Sequence, residues 1–180
     1  NGKTVAIKRD NPADALHLGR EVSLKIYDRH EIAAGQSRYQ IARQPQFARK
    51  ASVAQDRRGD MLLLINGMPV IHIELKRGGA PVSQECNQIE KYAAEGMFSG
   101  LFSLVQIFVA MQPEEAVYFA NPGPEGRFNQ DYYFHWADFN NDPINHWQAV
   151  ASSLLSIPMA HQMIGFYTVA DDTDGVLKVM

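Results

Sequence analysis

Residues 59–76 read GDMLLLINGMPVIHIELK, two apolar runs on either side of a turn dipeptide. Met61 to Ile65 is a continuous apolar run, Asn66-Gly67 is a favoured hairpin turn, and Val70 to Leu75 is a second run rich in β-branched residues. The pattern predicts an antiparallel hairpin. Because the runs are apolar throughout rather than alternating, both strands are predicted to lie centrally in a sheet, with both faces covered.

Helices and further strands are predicted on either side of this hairpin. A loosely helical spacing of apolar residues after Asn11-Pro12 predicts a helix over 14–27, and Pro81-Val82-Ser83 opens a second helix that runs to about residue 95. The other predicted elements are an outer strand at 39–44, strands at 104–111, 116–120, 131–136 and 176–179, and helices at 145–155 and 160–167. Strands interleaved with helices predict one α/β domain with a mixed central β-sheet flanked by helices.

Length and composition are those of one globular domain. The chain has 180 residues, 46% of them hydrophobic and 21% charged, which excludes the collagen-like, disordered and coiled-coil classes. The apolar run at Met61–Ile65 is far shorter than the roughly 18 residues that span a bilayer, so we expect no membrane protein. The single cysteine, Cys86, excludes an internal disulfide and a Cys-based zinc site and fits a reducing cytoplasm.

A net charge of −3 hides an uneven distribution of charge along the chain. Residues 1–58 contain 12 Lys and Arg against 6 Asp and Glu, whereas residues 59–180 contain 5 against 14. One interpretation is an ordinary solvated surface, and the other is a basic surface that follows a phosphate backbone. The residues of that basic surface would be Arg38, Arg43, Arg49, Lys50, Arg57 and Arg58.

Acidic and basic side chains are expected to converge at one end of the hairpin. A loop over 66–69 would place Asp60 beside Glu74 and Leu75 on the next strand, and alternation along that strand puts Glu74 and Lys76 on one face. Two adjacent carboxylates at the edge of a core repel, and a divalent cation between them is the natural compensation. Oxygen-only ligands favour Mg²⁺ or Mn²⁺ over Zn²⁺.

Such a site has the chemistry of metal-assisted phosphodiester hydrolysis. A cation there would polarise a phosphate oxygen and lower the pKa of a bound water, while the Lys76 ammonium could position that water and stabilise developing negative charge. The alternative is an ordinary solvated strand end, because a Glu-x-Lys triplet arises by chance about 0.6 times in a chain of this length.

These residues also resemble a known family. The stretch 59–76 is similar to the nuclease core of the restriction (motor, R) subunit of type I restriction-modification enzymes, a branch of the PD-(D/E)xK nuclease superfamily. Gln88-Ile-Glu-Lys-Tyr92 resembles the Q-x-x-x-Y element that accompanies that core. Further segments that resemble the family, in the same order along the chain, are 31–35, 39–41, 105–109 and 118–121.

The resemblance implies a Mg²⁺-dependent endonuclease domain that precedes an ATP-driven DNA-translocating motor. It also implies double-stranded DNA and the methylation and specificity subunits as partners, with Asp60, Glu74 and Lys76 as catalytic residues and Asp60, Glu74 and the Leu75 carbonyl as metal ligands. The chain contains no G-x-x-x-x-G-K-[ST] loop, so ATP binding is expected only in a motor outside these residues. Because the chain starts at Asn1 without Met, we expect residues 1–180 to be a single endonuclease domain of a longer protein.

Two residue assignments remain open at this point. The family core uses an acidic residue of its first helix, and the candidates are Glu21 and Glu31; we favour Glu21 because it lies in the middle of the predicted helix. His72 shares a strand face with Glu74. We interpret it as a packed core histidine, since it is further from the expected cation and the resemblance places an apolar residue there.

The DNA-binding residues and the function also have alternatives. Arg57 and Arg58 are expected to contact DNA, and the polar helix face that carries Gln88 and Tyr92 is expected to touch either DNA or the main chain of the metal site. One alternative function is a DNA-binding or docking module with a degenerate nuclease site. The other is a nuclease from a different branch of the PD-(D/E)xK superfamily.

Overall fold

A computed structural model describes residues 4–25, 27, 37–47, 57–124, 126–171 and 176–179. Strands Thr4–Lys8 (β1) and Glu21–Lys25 (β2) form a two-stranded antiparallel sheet. The core sheet follows, with strands Tyr39–Arg43 (β3), Met61–Ile65 (β4), Met68–Leu75 (β5), Ile107–Gln112 (β6) and Glu115–Ala120 (β7) in spatial order β3-β4-β5-β6-β7. Because β5 and β6 are parallel and the other pairs are antiparallel, the sheet is mixed, as predicted.

The β4–β5 hairpin lies in the interior of this sheet, as its apolar runs predicted. Asn66 and Gly67 both have positive φ, at 53° and 80°, which is the conformation of a type I′ turn and explains why this dipeptide suits the position. The loop has two residues rather than the predicted four, because Ile65 already pairs with Met68. A bulge between Leu63 and Leu64 then shifts the register, so the pairing at the far end differs from the predicted one by a single residue.

Helices cover the two faces of the core sheet. Helix Ser83–Ala94 (α1), predicted from its opening residues, packs on one face, where Cys86 and Ile89 join Leu62 and Phe108 in a buried cluster. Helices Trp147–Ser152 (α2) and Ile157–Gly165 (α3) supply buried side chains to the cluster on the other face. Each is shorter than, or offset from, its predicted range.

The remaining elements agree only in part with the sequence analysis. Strands Thr168–Asp171 (β8) and Val176–Val179 (β9) pair with each other, and the second was predicted. The strand predicted over 131–136 is wrong: a 3₁₀ turn at Gln130–Tyr132 is followed by a single bridge between Phe134 and Tyr118. A second 3₁₀ turn spans Gly100–Leu104.

The helix predicted over 14–27 is also wrong. Asp14 and the residues after it form turns, in which the His17 and Leu18 N–H groups donate to the Asp14 carbonyl, and the chain then pairs β2 with β1. Glu21-Val-Ser-Leu-Lys25 alternates strictly between polar and apolar residues, which is the strand pattern. Within the described residues, no helix has the length and apolar character needed to cross a membrane.

Candidate active site

Asp60 is placed by the strand pairing at the open end of the hairpin. Its half-buried side chain precedes β4, and its Oδ2 accepts a hydrogen bond from the Leu75 N–H at 2.8 Å. The main chain beside it is fixed as well, since the Asp60 carbonyl accepts from the Gln44 N–H at 2.8 Å. Met61 pairs with Ile73, so the register brings Asp60 opposite Glu74. This is one residue from the predicted pairing, and Asp60 still lies beside Glu74 and Leu75 as expected.

Glu74 is a buried carboxylate, only 1% exposed, on the face of β5 that packs against α1. His72 Nε2 lies 2.8 Å from its Oε1, and the Gln88 side-chain amide donates to its Oε2 at 2.9 Å. Burial raises the pKa of Glu74, the hydrogen bond to His72 partly offsets that effect, and the adjacent Asp60 carboxylate raises it further. The two carboxylates are therefore neighbours in a poorly solvated site.

Lys76 shares the α1 side of β5 with Glu74, as alternation along the strand predicted. Its Nζ lies 3.4 Å from Oε1 of Glu85, in the first turn of α1. The Lys76 side chain is 39% exposed, whereas that of Glu85 is 2% exposed. Neither Glu85 oxygen has a hydrogen bond within the described part of the chain, so the Lys76 ammonium is the charge that compensates this buried carboxylate.

Gln88 and Tyr92 connect α1 to both carboxylate-bearing segments. Besides its bond to Glu74, the Gln88 amide donates to the Tyr92 hydroxyl at 3.0 Å, and that hydroxyl donates to the Arg58 carbonyl at 3.1 Å. Tyr92 is 8% exposed, and burial raises the pKa of its hydroxyl. Of the two predicted roles, these contacts favour the one at the main chain of the metal site over the one on DNA.

This geometry can be compared with known proteins. Residues 6–127 match the family model described as type I restriction enzyme R protein N terminus. The chain belongs to this family. The matched range includes all the residues of the candidate site, namely Asp60, Glu74, Lys76, Gln88 and Tyr92.

Curated relatives agree with the family match. The type I restriction enzyme SauCOLORF180P endonuclease subunit of Staphylococcus aureus (strain COL) is 33% identical over 123 residues, which cover 68% of this chain and 13% of the relative. The SsaAORF53P endonuclease subunit of Staphylococcus saprophyticus is 27% identical over the whole chain and 19% of its own length. The EcoprrI endonuclease subunit of Escherichia coli is 27% identical over 88% of the chain and 50% of its own length. The chain therefore spans between about one eighth and one half of these relatives.

The basic residues of this R protein family member are divided between two ends of the sheet. Arg58 is exposed and lies two residues before Asp60. Arg43 is exposed too, but it pairs with Met61 on the face of the sheet opposite to α1. Arg57 is instead paired with Glu95, with Nε and Nη2 each donating to a carboxylate oxygen at 2.8 Å. Arg38 does not join the others in one basic surface, because its N–H and carbonyl bond Asn66 at the hairpin turn, at the other end of β4. Arg49 and Lys50 lie outside the described residues.

The fold does not decide which acidic residue takes the role that the family assigns to its first helix. Glu21 lies exposed on β2, opposite Lys8, so the reason for preferring it, a position within a helix, is wrong. Within the described residues it has no hydrogen bond or ion pair with Asp60 or Glu74. Its catalytic role stays a prediction, and Glu31 lies outside the described residues.

The donor atoms at the site suit a hard divalent cation. Along an extended strand the N–H and C=O of one residue point to the same side, so the Leu75 carbonyl points towards β4, where its N–H meets Asp60. Among the described residues no group of three or more His, Cys, Asp and Glu side chains is placed to hold a metal. The candidate donors are the Asp60 and Glu74 carboxylates and the Leu75 carbonyl, which are all oxygen atoms, the ligands that Mg²⁺ prefers.

Two features of the site were missed or underestimated from sequence. His72 is a packed core histidine, as interpreted, but it also touches Glu74. A signal for this contact was available, because residues two apart on a strand lie on one face. Glu85 carried no such signal, since a glutamate in the first turn of a helix is usually solvated.

Proposed function

We propose that this chain is the Mg²⁺-dependent endonuclease domain of a type I restriction enzyme R subunit and that it hydrolyses phosphodiester bonds of double-stranded DNA. The observation that carries the proposal is the convergence of Asp60, Glu74 and Lys76 at one end of β4 and β5 in a member of this family. The raised pKa of Glu74 supports the same proposal, because perturbed carboxylates cluster at functional sites.

Asp60, Glu74 and the Leu75 carbonyl would hold the cation. When bound, Mg²⁺ would supply Lewis acidity towards a phosphate oxygen and a more acidic water. The chain's own contribution is orientation. Asp60 is tied to the Leu75 N–H and both oxygens of Glu74 are bonded, so neither carboxylate has to be ordered when DNA binds.

Lys76 would act on the reacting phosphate. Its ammonium is partly exposed at the mouth of the site, where it can orient a water and stabilise the negative charge that develops in the transition state. Because that charge is larger in the transition state than in bound DNA, loss of Lys76 should lower the cleavage rate much more than DNA affinity.

The proposed partners follow from the family and from the short span of the chain within its relatives. A type I restriction enzyme R subunit works with methylation and specificity subunits, and ATP would bind only in a motor region outside these 180 residues. Arg58 is the proposed phosphate contact near the site. The proposed compartment is the cytoplasm, in agreement with a single, reduced cysteine.

Cleavage by the assembled enzyme tests the proposal. In the complete R subunit, with its methylation and specificity subunits, Lys76→Ala should reduce DNA cleavage by at least about 100-fold and leave DNA binding and ATP hydrolysis near wild-type values. Arg77→Ala, the removal of an exposed neighbouring cation, is the matched control and should cleave normally.

A second variant separates chemistry from folding. Lys76→Ala also leaves Glu85 unpaired, so the double variant Lys76→Ala/Glu85→Gln should restore stability while cleavage stays lost. If Lys76→Ala cleaves DNA at the wild-type rate, the nuclease proposal is wrong and the docking-module alternative replaces it.

A further inference from the structure

His72 is an uncommon neighbour for a candidate metal ligand. It is completely buried, and its Nε2 lies 2.8 Å from Glu74 Oε1. Its other ring nitrogen, Nδ1, has no hydrogen-bond partner within the described part of the chain. The ring thus makes one polar contact, and that contact is to the carboxylate.

The surroundings fix the ring in this position. Phe47, Phe98 and Phe108 surround it, with ring centroids 5.9, 5.2 and 6.1 Å from that of His72. On the remaining side a Cβ atom added at Gly59 would lie 2.5 Å from His72 Cε1, so this position has room for the ring only because it is glycine. Gly59 directly precedes Asp60, so His72, on the strand that carries Glu74, also packs against the segment that carries Asp60.

The contacts also select the form of the imidazole. The ionised Glu74 carboxylate can only accept, so Nε2 must carry the hydrogen that lies between them. A hydrogen on Nδ1 would be buried against apolar surroundings with no acceptor, which is costly. A hydrogen on Nε2 therefore makes use of the one polar contact that the ring has.

We propose that His72 is a positioning residue for Glu74: its Nε2–H fixes one carboxylate oxygen while Gln88 fixes the other, so the remaining lone pairs face the cation site beside Asp60. This inference rests on the proposed function, because it assigns the work of His72 to cation binding by Glu74. Hydrogen-bond partners of ligating carboxylates typically change metal affinity or activity by about 10–100-fold when removed.

Metal binding by the 180-residue chain tests the inference. His72→Met keeps an apolar group of similar size and removes the donor, whereas His72→Gln keeps an amide N–H at a similar reach. We expect His72→Met to weaken Mg²⁺ binding, measured by titration calorimetry, by about 10–100-fold, with His72→Gln recovering most of the loss. Leu62→Met is the matched control, because Leu62 pairs with His72 in the same buried layer and has no polar group; its Mg²⁺ affinity should be unchanged.

The native chain provides a readout that does not depend on folding of the variants. ¹⁵N NMR of the His72 imidazole should show a hydrogen on Nε2 before any metal is added. A hydrogen on Nδ1 instead would overturn the inference.

The outcomes separate this inference from the proposed function. If His72→Met binds Mg²⁺ as tightly as the wild type while Asp60→Asn does not bind it, His72 only fills space and the cation site stands. If the wild-type chain and Asp60→Asn behave alike towards Mg²⁺, the cation site itself is wrong, and the inference falls with it.

Discussion

Two buried glutamates near the site, Glu74 on β5 and Glu85 on α1, are equally hidden from water but held in different ways. Each is 1% exposed. Glu74 has a directed hydrogen bond at each oxygen, from His72 and Gln88. Glu85 has none within the described residues and faces only the Lys76 ammonium at 3.4 Å.

The two glutamates show that fixing the orientation of a carboxylate and compensating its charge are separate effects. Directed hydrogen bonds set the plane of the Glu74 carboxylate but leave most of its charge uncompensated next to Asp60. A flexible ammonium compensates the charge of Glu85 without setting its orientation. A carboxylate of the first kind is suited to receive a cation, whereas one of the second kind is suited to keep a lysine in place.

The largest effect on stability is expected when the Lys76–Glu85 pair is broken. Lys76→Met leaves a buried, unpaired carboxylate and should lower the free energy of unfolding by about 1–3 kcal/mol, less than for a fully buried pair because Lys76 is 39% exposed. Adding Glu85→Gln should restore most of that loss. Urea unfolding of the metal-free chain measures both values, and equal stability of Lys76→Met and wild type would contradict the pairing.

A smaller effect is expected from the uncompensated charge at Glu74. A carboxyl group whose pKa is raised on folding costs stability as the pH rises from its ordinary value of 4.5 through the raised value, because the unfolded chain releases the proton first. Asp60→Asn removes one cause of the raised pKa of Glu74. The variant should therefore be more stable than wild type at pH 7, by up to about 1 kcal/mol.

The pH series and the cation are the controls for this second effect. The advantage of Asp60→Asn should shrink as the pH falls towards 4, where Glu74 is protonated in both proteins. Mg²⁺ should stabilise the wild type more than the variant, because it binds where the charge is. A stability advantage that is independent of pH would show that the Asp60 charge is not its cause.

The smallest effect concerns a half-buried carboxylate with directed hydrogen bonds, Glu95, which two Arg57 nitrogens bond at 2.8 Å. Arg57→Ala should lower the urea midpoint only slightly, since both groups are close to solvent.

Arg58→Ala should leave the midpoint unchanged and reduce the slope of log DNA affinity against log salt by about one unit. Arg38 lies at the other end of β4, so Arg38→Ala should change neither the salt slope nor the DNA affinity.

The hairpin was predictable because its signals are local. Asn66-Gly67 supports positive φ at two positions, and apolar runs on either side require buried strands. The bulge at Leu63/Leu64 was not predictable, because no side-chain type marks it. The bulge moves the register by a single residue. The convergence of Asp60 with Glu74 could still be predicted, because the expected pairing differed from the observed one by only one residue.

The N-terminal error has a definite cause. Leu16, Val22 and Leu24 fit a helical spacing, but Val22 and Leu24 also fit the spacing of a strand. What separates the two is the partner strand at Thr4–Lys8, with which Glu21–Lys25 pairs. The contact of Glu85 with Lys76 depends on how α1 packs on β5, and a single sequence does not contain that distance information.

The position of Cys86 gives the molecule an internal probe. This single thiol lies 4% exposed on α1, and burial, followed by the neighbouring Glu90 and Glu85 charges, raises its pKa to about 12. A thiol reagent can therefore reach it only when α1 lifts from the sheet. The same helix carries Gln88 and Tyr92, so the labelling rate of one sulfur atom reports how often the candidate site comes apart.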